Sequence, residues 1–157
     1  MIAEVPVIET ARLRLRGHRS ADFGDCAAMW ADPGVVRHIG GRPFPAEEVW
    51  AKILRYAGLW SLLGYGYWAI EEKASGRYVG DVGFADFKRD VRPSFDGAPE
   101  IGWGDGYFAA ARTVCMIDPE NAASIRVAEK CGYREFGRTL YKNQATILFQ
   151  REGRVAR

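Results

Sequence analysis

The fold of this chain is decided by the stretch EIGWGDGYFAAARTVCMIDPENAASIRVAEKCGY, Glu100 to Tyr133. It opens with the short apolar segment EIGW and resumes after a connector with ARTVCMI, whose β-branched and apolar residues predict a strand. The following NAASIRVAEKCG predicts a helix, with Asn121 at its N-cap and Gly132 in a left-handed C-terminal cap. Two strands and a helix in this order predict a sheet with a helix packed on it.

The segments on either side of this stretch extend the predicted sheet. An alternating segment, ARLRLRG, predicts an early strand and is followed by two helical patterns. Three strands are then predicted at GYWAIEE, RYVGDVGFADF and APEIGW, and a final pair at REFGRTLY and QATILFQR. This order predicts a mixed α+β sheet, and 157 residues fit a single domain spanning 1–157.

Two details of the early segments carry further expectations. In ARLRLRG the arginines Arg12, Arg14 and Arg16 alternate with leucines, which favours a solvated strand face over a phosphate-binding stripe. The second helix is predicted to begin near Pro45 and to bury one apolar face. The residues of that predicted face are Val49, Trp50, Ile53, Leu54 and Ala57.

Composition limits the classes of function. Hydrophobic residues make up 48% and charged residues 27%, typical of a soluble globular protein, and the net charge of +2 gives no reason to expect a nucleic-acid partner. Three scattered cysteines are too few for a disulfide framework or a zinc site and fit a reducing compartment. The uncharged run at 56–70 is shorter than the ~20 residues of a membrane span. We therefore expect a cytoplasmic protein without a membrane partner.

The helix at the end of the stretch carries a recognisable motif. Asn121, Ser124, Lys130, Gly132 and Tyr133 form N-x-x-S-x-x-x-x-x-K-x-G-[FY], which resembles the GNAT superfamily of N-acetyltransferases. The segments IETARLRLR, GDVGF and PEIGW match, in the same order, the ribosomal-protein alanine N-acetyltransferase (RimJ/RimL-like) branch. The resemblance covers nearly the whole chain.

This resemblance implies a fold and a co-substrate. The fold is the acyl-CoA N-acyltransferase fold, in which the central parallel strands EIGW and TVCMI splay apart and acetyl-CoA lies between them, with no metal. Backbone groups of the first strand would pair with the pantetheine arm, and Asn121 would hold that arm. The cofactor-binding candidates are Ile101, Gly102, Trp103, Asn121, Ser124 and Lys130.

The implied reaction is direct transfer of the acetyl group to a primary amine. The amine must be neutral to attack, and Glu100 is the candidate base, acting through a water; an equally weighted alternative is a structural carboxylate paired with an arginine. The resemblance implies that Ser124 supplies the proton taken up by the CoA thiolate. No cysteine lies in a pattern typical of an acyl-enzyme, and Tyr133 more often packs in the core at this place.

The sequence does not identify which amine accepts the acetyl group. The acceptor is a protein N-terminus or a small-molecule amine, and the protein is a monomer or a homodimer. His38, in a glycine-bearing loop, and Trp30 are the candidate substrate contacts. The alternatives are an exposed histidine and a core tryptophan.

The connector is too short for the implied fold. Parallel neighbours need a crossover of about a dozen residues or more, and GDGYFAAA, Gly104–Ala111, has eight. The family's diphosphate-binding loop, Q/R-x-x-G-x-G/A, and its long helix have no counterpart here. A loop–helix segment is therefore predicted to be missing near 103–112. If the deletion is real, the alternative function is a non-catalytic acyl-CoA-binding or interaction module.

Overall fold

The computed structural model describes residues 4–102 and 112–153. The chain divides into two compact units, Met1–Gly83 and Phe84–Arg157, so the single domain stays a prediction. The described residues form eight strands, with antiparallel pairs in the first unit and both parallel and antiparallel pairs in the second. The predicted mixed α+β class is confirmed. No helix within the described ranges is long and apolar enough to cross a membrane.

The first unit combines strands with three helices and a 3₁₀ turn. Its elements are β1 (Ile8–Glu9), β2 (Leu13–Arg16), the 3₁₀ turn (Ser20–Asp22), α1 (Phe23–Ala31), α2 (Pro33–Val36), α3 (Ala46–Leu63), β3 (Tyr67–Glu72) and β4 (Tyr78–Ala85), the last of which ends in the second unit. Successive strands pair antiparallel. Gly83 lies opposite Tyr67, where a Cβ would come within 2.3 Å of the Gly66 carbonyl oxygen, so this approach of two strands requires glycine.

The core of the first unit lies against α3, and the predicted face of that helix is only half right. Val49 and Ile53 are buried, but Trp50 and Leu54 are 39% and 55% exposed. The helix instead continues its buried stripe through Tyr56, Leu59 and Trp60. The sequence carries two overlapping apolar stripes on α3, and packing selects the one at Val49, Ile53, Tyr56 and Trp60.

The predicted solvated face of β2 is wrong at Arg16. This side chain is buried, donating from Nε to Glu71 at 2.7 Å and from both Nη atoms to Asp22 at 2.8 Å. Burial alone would raise the pKa of Asp22, but its hydrogen bonds from Arg16 and the Arg19 amide hold that pKa below its ordinary value. Arg14 is half-exposed and pairs with Glu9 and Glu71.

The second unit contains the strands and the helix of the deciding stretch. Its elements are β5 (Glu100–Gly102), β6 (Thr113–Ile117), α4 (Ala122–Lys130), β7 (Arg134–Tyr141) and β8 (Gln144–Arg151). β6 pairs antiparallel with β8, and β7 with β8 as a hairpin closed by Lys142 and Asn143. Both turn residues have positive φ, as a two-residue hairpin turn requires. The predicted final pair of strands is confirmed.

Candidate active site

The centre of the candidate site is the parallel pair β5–β6. Glu100 is in register with Val114, and the Val114 amide donates to the Pro99 carbonyl at 3.0 Å. Glu100 and Ile101 are buried and Gly102 is half-buried. The predicted parallel pairing is confirmed, whereas Trp103 and the whole connector, Gly104–Ala111, lie outside the described residues.

The N-terminus of α4 follows β6 after a three-residue turn. Asn121 caps the helix, because its Oδ1 accepts a hydrogen bond from the Ser124 amide at 3.0 Å. The predicted cap is therefore confirmed. The Asn121 side-chain amide nitrogen has no hydrogen-bond partner in the described part of the chain, so it remains able to donate to a ligand. Ser124 is half-buried beside the cap.

The other end of α4 is closed by the predicted glycine. Gly132 has φ of +82°, its amide donates to the Glu129 carbonyl, and the Tyr133 amide donates to the Ala128 carbonyl, a Schellman motif. Lys130 is exposed in the last turn. At ~1.5 Å per residue, Lys130 is about 9 Å along the helix from Ser124, so the two candidates lie near opposite ends of α4.

Glu100 is held by an arginine that the sequence reasoning did not single out. Arg89, in the loop between β4 and β5, donates from Nε and Nη2 to the two oxygens of the Glu100 carboxylate, the second bond at 2.8 Å. Its Nη1 donates to the Tyr141 hydroxyl at 3.0 Å. Burial alone would lower the pKa of Arg89, but its hydrogen bonds to Glu100 raise it above its ordinary value.

This pairing bears directly on the two interpretations of Glu100. A carboxylate paired with an arginine is the structural alternative, and the observed geometry matches it. A base through water would have to act while both its oxygens accept bonds from Arg89. In the sequence, Arg89 stands in KRDVRP, part of a segment predicted to be a polar connector, and its charge was the feature that could have indicated a partner for Glu100.

Two buried side chains lie on or against β6, Cys115 and Tyr133. Burial, with the nearby Glu100 charge adding to it, raises the pKa of the Cys115 thiol to about 12, so this residue stays protonated and is a poor nucleophile. The Tyr133 hydroxyl lies 2.7 Å from the Thr113 hydroxyl, and Tyr133 is only 4% exposed. This position agrees with a core role for Tyr133.

The candidate substrate contacts lie in the first unit. Trp30 is 6% exposed, its ring stacks on Phe44 with centroids 5.1 Å apart, and the Lys52 ammonium lies 4.1 Å from its centroid. His38 is half-buried in the turn after α2. Their roles in acceptor binding stay predictions.

The sequence reasoning also missed a buried polar cluster in the first unit. His18 Nε2 lies 2.6 Å from Asp81 Oδ1, which also accepts from the Tyr78 hydroxyl at 2.7 Å. His18 Nδ1 and Asp81 Oδ2 are buried without a hydrogen-bond partner within the described ranges. His18 lies about sixty residues from Tyr78 and Asp81, which share β4, so no local motif marks the cluster. In the described part of the chain, no group of three or more histidine, cysteine or acidic side chains could hold a metal ion.

Two cavities open on the second unit. The larger, about 530 Å³, lies beside α4 and the β7–β8 hairpin, against Ile125, Tyr133 and Arg138, and contains none of the predicted site residues. The smaller, about 270 Å³, is formed by the loop that leads into β5. Glu100 and Arg89 are part of its wall, so the smaller cavity is the one at the candidate site.

Comparison with known families agrees with this geometry. The sequence model of the family described as acetyltransferase (GNAT) domain matches residues 12–111, well over half of the chain. The chain belongs to the GNAT acetyltransferase family. Among its relatives is the uncharacterized protein YkkB of Bacillus subtilis, 31% identical over 176 aligned positions that cover 91% of this chain and 94% of YkkB.

Solved structures of this family share the fold. An acetyltransferase from Agrobacterium tumefaciens is 22% identical with a TM-score of 0.75, and the match covers 95% of each chain. The ribosomal L7/L12 α-N-protein acetyltransferase RimL, solved in complex with coenzyme A, is 16% identical with a TM-score of 0.72, covering 94% of this chain and 98% of RimL. The predicted acyl-CoA N-acyltransferase fold is confirmed. The narrower placement in the ribosomal-protein branch stays a prediction.

Proposed function

We propose that this GNAT acetyltransferase transfers the acetyl group of acetyl-CoA directly to a primary amine, on a small molecule or a protein N-terminus. The observation that carries the proposal is the parallel pair β5–β6 followed at once by the Asn121-capped α4. The pair supplies strand backbone for the pantetheine arm, and the helix start brings Asn121 and Ser124 to the end of β6. Family membership implies acetyl-CoA as co-substrate.

Each residue has a defined part in this proposal. Backbone groups of Ile101, Gly102 and Trp103 hold the arm, and a strand amide stabilises the negative charge that grows on the thioester oxygen, an effect worth ~3 kcal/mol in other enzymes. The Asn121 side-chain amide donates to the arm, and Lys130 contributes positive charge. Ser124 protonates the departing thiolate.

Glu100 is proposed to hold the acceptor amine. Its two bonds from Arg89 use two of the carboxylate's roughly four acceptor sites, and the others remain for an amine or a water. Because both carboxylate oxygens already accept hydrogen bonds from Arg89, we give this positioning role precedence over the role of general base. A water on Glu100 would carry the amine's proton to solvent. His38 and Trp30 remain proposed acceptor contacts.

The short connector between β5 and β6 favours a second function, binding of acyl-CoA without catalysis. Only ten residues, 103–112, separate Gly102 from Thr113, fewer than the crossover of about a dozen or more that joins parallel neighbours. The family match ends at residue 111, just before β6. The alignment with YkkB has 176 positions and includes 91% of this chain, which is about 143 residues. About 33 aligned positions therefore have no residue in this chain. These facts support a deleted loop–helix segment, and with it a module that binds acyl-CoA without turnover.

Thiol release and calorimetry distinguish the two functions. The full chain is incubated with acetyl-CoA and a panel of N-terminal peptides, amino acids and polyamines, while CoA binding is measured by titration calorimetry. The enzyme proposal expects amine-dependent thiol release, reduced about tenfold in Ser124→Ala. Ser61→Ala, an exposed serine on α3, is the matched control and keeps full activity. CoA binding with thiol release at the uncatalysed rate for every amine would leave only the binding module.

A further inference from the structure

A small cavity lies at the start of β5, formed by the loop that leads into this strand. Its volume of about 270 Å³ lies just below the ~300–1,000 Å³ typical of pockets for drug-sized ligands. It therefore fits a molecule of amino-acid size. Its wall contains Arg89 and Glu100, together with the aromatic rings of Phe87 and Phe95.

Among the described residues, two N–H groups of the Arg89 guanidinium have no hydrogen-bond acceptor. A guanidinium has five N–H groups. In the described residues, one on Nε and one on Nη2 bind Glu100, and one on Nη1 binds Tyr141, which leaves one each on Nη1 and Nη2. Arginine typically binds a carboxylate through two such donors. The Arg89 side chain is 22% exposed and borders the cavity, so we infer that these donors can reach a ligand there.

The guanidinium is also fixed in place. Its carbon lies 4.7 Å from the centroid of the Phe87 ring and 5.1 Å from that of Tyr141. Two aromatic contacts and two hydrogen-bonded partners restrict its rotation. A group ordered before binding loses little conformational freedom when a ligand arrives.

The two charges are adjacent and have opposite sign. A ligand with a primary amine and a carboxylate on one carbon matches them, with its carboxylate on Arg89 and its amine on the free acceptor sites of Glu100. An apolar side chain of the ligand would meet Phe87 and Phe95. A protein N-terminus has no carboxylate next to its amine.

We propose that the acceptor is a free apolar α-amino acid, bound by Arg89 and Glu100; this inference rests on the proposed acetyl transfer. The amine nitrogen bonds to the thioester carbon as the carbon–sulfur bond breaks, and the electron pair leaves on sulfur. The nitrogen, which is neutral when it attacks, then loses one proton to solvent through a water on Glu100, and the sulfur takes one from Ser124, whose hydroxyl regains it from solvent. N-acetyl amino acid and CoA are the products.

Three matched acceptors test the proposal. L-leucine, L-leucinamide and a peptide with N-terminal leucine share the same amine and side chain, but only leucine has the adjacent carboxylate. We expect kcat/KM for leucine to exceed that for the other two at least tenfold, the effect of a charge-assisted pair. Equal or better turnover of leucinamide or the peptide overturns the inference but leaves acetyl transfer standing. No acetylation of any amine would overturn the proposed function itself.

Variants locate the effect at Arg89. Arg89→Lys keeps a positive charge beside Glu100 but loses the fork, so KM for leucine should rise about tenfold while KM for leucinamide stays unchanged. A structural role would shift both substrates equally and lower Tm. Arg138→Lys, an exposed arginine paired with Glu135, is the control. If Arg89→Lys fails to fold, Tyr141→Phe removes one partner of Nη1, and KM for leucine alone should change by roughly threefold. An equal change for both substrates in the folded variant overturns the inference.

Discussion

Each of the two units contains an arginine paired with acid, Arg16 buried in the first and Arg89 half-buried in the second, and the pairs differ in how far solvent and ligands can reach them. Arg16 uses four of its five N–H groups, on Asp22, Glu71 and the Gly17 carbonyl, and its side chain is 6% exposed. Arg89 uses three, is 22% exposed, and borders a cavity. The closed Arg16 pair, with most of its donors used and little exposure, therefore serves stability. The open Arg89 pair, with two donors left and a cavity beside it, is available to a ligand.

The largest effect is expected on stability, when the buried pair of Arg16 and Asp22 is broken. Arg16→Ala leaves Asp22 buried without its charged partner, which should lower the free energy of unfolding by about 3 kcal/mol. Urea denaturation followed by circular dichroism measures the loss. Arg12→Ala, the exposed arginine in the same alternation, is the control and should change little. A loss below about 1 kcal/mol, the value of a surface pair, would show that Arg16 is not closed.

Acid should weaken the closed pair in a defined range. The folded pKa of Asp22 is lowered from 3.8, so its contribution to stability is present above that pH and is lost as pH falls through the folded pKa. Thermal melting between pH 5 and 2 should show this loss in the native protein and a shallower dependence in Arg16→Ala. Parallel melting curves for the two proteins would contradict the assignment to this pair.

A change at the open pair should affect substrate more than folding. Glu100→Gln keeps the shape of the side chain but removes the charge that holds the amine, so KM for the amine should rise about tenfold, with kcat changed less than about threefold. Steady-state kinetics across pH 6 to 9 provide the measurement. If kcat instead falls a hundredfold and the acidic limb of its pH profile disappears, Glu100 is the general base.

The smallest effect is expected at Asn121, where two substitutions distinguish its capping of α4 from its proposed contact with CoA. Asn121→Ala should cost about 1 kcal/mol of stability, whereas Asn121→Asp still caps α4 and should keep stability. Both variants lose the side-chain N–H donor, so both should bind CoA about tenfold more weakly. Calorimetry and thermal melting of the two variants provide the comparison. Unchanged CoA affinity in Asn121→Asp would limit Asn121 to capping.

The sequence predicted what depends on neighbouring residues. The Asn121 cap, the left-handed Gly132 and the final hairpin each follow from a few adjacent positions, and the structure confirms them. The parallel pairing of β5 and β6 was also predicted, because the resemblance places these strands side by side.

Contacts between distant residues could not be read in the same way. Arg16 meets Glu71 across 55 positions, and alternation alone made it look solvated. On α3, Trp50 and Tyr56 are both aromatic, and only the packing of α3 decides that Tyr56 is buried. Arg89 lies in an irregular loop whose path brings it to Glu100, so the periodicity of the sequence did not indicate that these two residues pair.

A competition experiment shows which class of amine this chain acetylates. The full chain receives acetyl-CoA with an equimolar mixture of free amino acids, their amides and peptides, and mass spectrometry identifies every acetylated product. We expect acetylated apolar amino acids well above the protein-free control, with acetylated amides and peptides at least tenfold lower. Acetylated peptides in their place would contradict the open arginine, and no acetylated product at all would contradict acetyl transfer by this chain.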